Sequence, residues 1–87
     1  MSLKKKDYSH LDAAILALVS EAPRAKEALL AEEALRRLSL HVYRPRSGVS
    51  PAQSTDKTIL DRLNMMRIAG RLAYDPATRR WMAGAAA

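Results

Sequence analysis

Gln53, Ser54, Thr55, Lys57, Thr58 and Arg62 put an amide, three hydroxyls and two cations into ten consecutive residues. Amides and guanidiniums bond base edges in pairs, hydroxyls bond bases or phosphates, and lysine meets phosphate. All six are read as lying off the apolar spacing Ile59, Leu63, Met66, so they are expected on the outer face of one helix. A bidentate contact from Arg62 to guanine would discriminate by roughly 1–3 kcal/mol. Arg79 and Arg80 follow at a predicted hairpin, and Arg44 and Arg46 precede, beside Tyr43. These ten polar and cationic residues are the candidate nucleic-acid contacts. Asp56 and Asp61 oppose a polyanion on that face, and Asp56 is read as a partner of the helix dipole.

Bland readings stand beside these. Arginines on an edge strand protect it from aggregation without touching a ligand. Trp81, the single tryptophan in a chain without phenylalanine, is read as core rather than as a stacking platform.

Other chemistry finds little support. The chain has no cysteine, and two histidines, His10 and His41, are too few for a metal cage, so neither metal nor cofactor is expected. No Gly-rich phosphate loop is present. Glu32 and Glu33 are adjacent, so on a helix they point about 100° apart rather than together. An enzyme is not expected.

Charge narrows the partner. The net charge is +6, distributed as +3 over residues 1–6, −2 over 7–40 and +5 over 41–87. The C-terminal half therefore favours a polyanion, whose neutralisation releases counterions. The longest apolar stretch, Ala13 to Val19, is far shorter than the roughly 20 residues of a membrane span, and no signal-peptide cleavage pattern follows the lysines. A soluble cytoplasmic protein is expected, nucleoid-associated if it binds DNA.

These residues must be positioned by a small core, because 87 residues make one domain with no disulfide to help. Ser9 and Asp12 resemble a capping box, and Leu11, Ala14, Ile15, Leu18 and Val19 follow at helical spacing, ending before Pro23. Arg24 to Leu38 reads as a second helix, its apolar stripe being Ala25, Ala28, Leu29, Ala34, Leu35 and Leu38. Glu32/Arg36 and Glu33/Arg37 are spaced to pair on it, and Ala28 to Ala31 offers a short strand instead. His41 to Gln53 is a long loop. Ser50-Pro51-Ala52-Gln53 has the grammar of a helix start, Ser54 or Thr55 offers a later cap, and Gly70 terminates the third helix. Alternation then begins. With Asp75 to Thr78 as the turn, Tyr74 is expected opposite Arg79 and Leu72 opposite Trp81, so that Leu72, Tyr74 and Trp81 share a face.

The stretch TILDRLNMMRIAGRLAYDPATRRW resembles the recognition helix and wing of winged helix-turn-helix DNA-binding domains: a polar helix start, apolar residues spaced like Ile59, Leu63 and Met66, a glycine, then a basic hairpin. The resemblance covers about residues 9–83, with a basic arm at 1–8 and a frayed tail at 84–87. It implies a mainly α fold with a small β-hairpin, three helices in a winged helix-turn-helix, and a transcriptional regulator that binds double-stranded DNA. The third helix would enter the major groove while the wing met the backbone or minor groove. The segment from Leu40 to Ser54 departs from the family's short turn. Homodimers on paired half-sites are left open. The alternative is a protein-binding adaptor or inhibitor, of the kind a mobile element encodes, exposing Met65 and Ile68, because fold alone does not assign function.

Overall fold

Leu11, Ile15 and Val19 form the buried face of α1 (Ser9–Glu21) in the computed structural model, which describes residues 7–42 and 50–85. Ser9 and Asp12 do not form the expected capping box: Tyr8 stands at the cap position without a side-chain cap bond, and the Asp7 carboxylate accepts from the Ser9 backbone N–H at 2.9 Å, which satisfies one donor at the helix start. The helix ends at Ala22, extended at φ −166° and ψ 150°, as a residue before proline prefers.

The expected second helix is three elements. Arg24 and Ala25 form a two-residue strand, β1; α2 covers Lys26–Ala31 and α3 covers Glu33–Val42. Glu32, at ψ 113°, separates the helices. In a continuous helix Leu29 and Leu35 would stand about 120° apart. The break lets both be buried completely, while Ala28 and Ala34 from the expected stripe are exposed. The Arg36 guanidinium stabilises the break by donating to the Leu30 carbonyl at 2.8 Å. It therefore leaves Glu32, its expected partner, whereas Glu33 and Arg37 pair as their spacing predicts.

The long final helix, α4 (Pro51–Ile68), begins after Ser50 with proline in its first turn. It ends through Gly70 at φ 80°, where the Gly70 N–H donates to the Arg67 carbonyl and the Arg71 N–H to the Met66 carbonyl. This left-handed exit satisfies two terminal carbonyls and turns the chain into β2 (Leu72–Asp75) and β3 (Arg80–Ala83).

The hairpin register differs from expectation by two residues. Tyr74 lies opposite Trp81 and Asp75 opposite Arg80, leaving Pro76 to Arg79 as the loop. Asp75 accepts from the Ala77 N–H and the Thr78 hydroxyl, and Arg79 makes the return at φ 57°. Because the shift is even, Leu72, Tyr74 and Trp81 still share a face. β1 pairs antiparallel with β3, so the sheet has three strands in the order β1-β3-β2. The fold is mainly helical with this small sheet. Just past β3, the Gly84 N–H donates to the Arg71 carbonyl at 2.8 Å, so this residue of the expected frayed tail is held.

The core joins Leu11, Ile15, Val19, Leu29, Leu35, Ile59, Leu63, Met66 and Leu72, with Tyr8 and Trp81 packed at its margin. No helix among the described residues is long and apolar enough to cross a membrane.

Candidate nucleic-acid interface

The residues nominated from sequence divide sharply in the structure. Gln53, Lys57, Arg79 and Arg80 are exposed. Ser54, Thr55 and Thr58 are buried, so they are not the outward polar start that the sequence pattern led us to expect. Their burial follows from spacing: Thr55 precedes Ile59 by four residues and so continues the apolar stripe inward. The Thr58 hydroxyl donates to the Ser54 carbonyl at 2.9 Å, a local bond that lets a polar side chain enter the interior. Arg44, Arg46 and Tyr43 lie outside the described residues.

Arg62 is the largest revision. Its Nε donates to Asp12 Oδ1 at 2.9 Å and its Nη2 to Asp12 Oδ2 at 2.7 Å, a two-point contact between α4 and α1. Its guanidinium carbon lies 4.6 Å from the centre of the Tyr8 ring, and Asp12 is only 5% exposed. The hydrogen bond to Asp12 raises the Arg62 pKa against the opposing effect of burial. A guanidinium held this way by its own chain is a strut, not a reader of guanine. Arg71 Nη1 adds a longer contact to the same carboxylate at 3.9 Å.

Asp56 is likewise committed, accepting from Arg36 Nη1 at 2.7 Å. This ion pair ties α3 to α4, in place of the expected dipole role. The pair offsets the charge of Asp56, whose side chain is still half exposed, and Asp61 is the unpaired exposed acid of α4 among the described residues.

Two rows make up the outward surface of α4. Gln53, Lys57, Leu60, Asn64 and Arg67 follow one another at intervals of four and three residues, and Asp61, Met65 and Ile68 form a flanking row. The first row runs beside the hairpin. Leu60, Asn64 and Arg67 line a shallow groove of about 190 Å³ with Tyr74 and Trp81. The two aromatic rings are 5.0 Å apart, tilted by 55°. Trp81 therefore has two faces of work: it packs on the core, and it walls the groove. Sequence reasoning missed Asn64 and Arg67, although their spacing from Gln53 and Lys57 carries the signal.

Among the described residues, no group of three or more His, Cys, Asp or Glu side chains could hold a metal ion. No family model matches the chain, nor does any curated protein or any solved structure.

Proposed function

We propose that this protein binds double-stranded DNA as a winged helix-turn-helix domain, with the exposed row of α4 in the major groove and the hairpin as a basic wing. The observation that carries this reading is the adjacency of that row to the hairpin, which makes one groove lined by Leu60, Asn64, Arg67, Tyr74 and Trp81, with Lys57 exposed on the same row and Arg79 and Arg80 exposed on the hairpin. A major groove admits one helix, and cations flanking it neutralise phosphates. A helix that passes through a left-handed glycine into a hairpin, with a third strand anchoring it, is compatible with the winged arrangement. Gln53 is the base-reading candidate that remains exposed at the start of α4, since a side-chain amide can bond adenine at two points. Regulation of transcription is the task this binding would serve.

The test is fluorescence polarisation with a random duplex across a salt series. Binding should weaken steeply with salt, and replacing both Arg79 and Arg80 with alanine should weaken it further. No binding at low salt removes the reading.

One observation favours a second reading, a protein-binding module. Met65 is 52% and Ile68 70% exposed, and they share the flanking row of α4. Large apolar groups exposed together mark contact surfaces. Ile68→Asp would leave DNA affinity nearly intact under the first reading and abolish partner capture under the second.

A further inference from the structure

Resting on the DNA-binding reading, we propose that the groove between α4 and the hairpin receives one unpaired nucleobase of the bound DNA. The lining has the chemistry such a base requires. Tyr74 is 39% exposed and stands against Trp81, which together with Leu60 supplies a largely apolar, partly aromatic wall. Every base has a π-face, so an aromatic wall binds bases with little regard to identity. Polar groups lie on one side. Arg67 Nη2 donates to Asn64 Oδ1 at 3.1 Å, and this bond orients the amide. The Asn64 Nδ2 makes no hydrogen bond to a described residue and is a donor for a base carbonyl. Arg67 is exposed, and its other guanidinium donors would serve the phosphate of the same nucleotide.

Charge selects this occupant over an apolar side chain of a protein partner. The row that forms the groove carries Lys57 and Arg67, both exposed cations, and Arg67 lines the groove itself. Of the two α4 acids, Asp56 is paired with Arg36 and Asp61 is in the flanking row with Met65 and Ile68. An anion-bearing ring therefore suits the groove, while the flanking row is the surface for an apolar one.

Trp81 is the chain's single tryptophan and lines the groove, so its emission reports occupancy directly. Three duplexes of one sequence distinguish the cases: fully paired, with a one-nucleotide bulge, and with the same bulge carrying an abasic residue. The base-bearing bulge should bind about tenfold more tightly than the abasic one and change Trp81 emission. Asn64→Ala and Tyr74→Leu should reduce that preference to near unity, the preference being the ratio of base-bearing to abasic bulge affinity within each variant; the exposed Asn64 keeps the test open if Tyr74→Leu impairs folding. Equal binding of base-bearing and abasic bulges, with unchanged emission, overturns the proposal but leaves duplex binding standing. Failure of all three duplexes to bind at low salt overturns both.

Discussion

Arg62 illustrates how a single side chain changes meaning once its neighbours are known. In sequence it is a cation on a polar helix; in the structure it closes a two-point bond with Asp12 inside the protein. Removing one partner of a buried pair leaves an uncompensated charge, which costs about 3–5 kcal/mol. Arg62→Ala should therefore lower the unfolding free energy by about 3 kcal/mol in urea titrations, and a loss under about 0.5 kcal/mol would show that Asp12 finds other support. Arg36→Ala should cost less, about 1 kcal/mol, because the Arg36–Asp56 pair is half exposed. At the start of α1 the hydrogen bonds from Ser9 lower the Asp7 pKa. A depressed carboxylate contributes stability that is present above its unfolded pKa and lost as pH falls through the lower folded value. Asp7→Ala should thus lower stability slightly at neutral pH and flatten the acid limb, the variant and the parent converging at low pH; identical profiles would show that the Asp7–Ser9 contact contributes nothing.

At the scale of elements, the turns carry the strain and the sequence marks them unevenly. Gly70 was readable because glycine after a helical run favours a left-handed exit, and φ 80° meets that expectation. Gly84 was not readable, since its role depends on a neighbour distant in the chain: a Cβ there would lie 2.3 Å from the Gly70 carbonyl oxygen. Gly84→Ala should destabilise by about 1–3 kcal/mol, as overpacked sites do, and chiefly by loosening the end of β3; calorimetry showing an unchanged Tm would contradict the close approach. Arg79 holds φ 57°, a conformation that costs an L-residue roughly 1 kcal/mol or more. Arg79→Gly relieves that cost and should raise stability by about 0.5 kcal/mol, after allowing for the freer unfolded chain, while weakening DNA binding. Opposite signs in the two measurements would mean that the arginine serves contact rather than folding.

Across the whole molecule, the proposed interface is a matter of charge left over after internal pairing. Arg36 and Arg62 are committed to Asp56 and Asp12, so neither serves the outer surface fully. Lys57 and Arg67 on α4 and Arg79 and Arg80 on the hairpin remain exposed. If those four each meet one phosphate, the slope of log affinity against log salt should be about −3.6, and the double change of Arg79 and Arg80 to alanine should bring it to about −1.8. A slope near zero, measured by polarisation on duplex DNA, would exclude a backbone-driven complex. A slope much steeper than expected would implicate cations outside the described residues, such as Arg44 and Arg46.

Local chemistry was legible without coordinates wherever it acts over a few residues. The apolar periods of α1 and α4, the start at Ser50 and Pro51, the exit at Gly70 and the shared face of Leu72, Tyr74 and Trp81 all follow from such spacing. What required the tertiary structure was every choice made between distant segments: the break at Glu32 that buries both Leu29 and Leu35, the pairing of β1 with β3, and the partners of Arg36 and Arg62. The physical reason is that periodicity tells which side of an element is apolar, whereas an ion pair or a two-residue strand exists only when another part of the chain arrives to complete it. For that reason sequence could nominate Ser54, Thr55 and Thr58 as outward groups, and only packing could turn them inward.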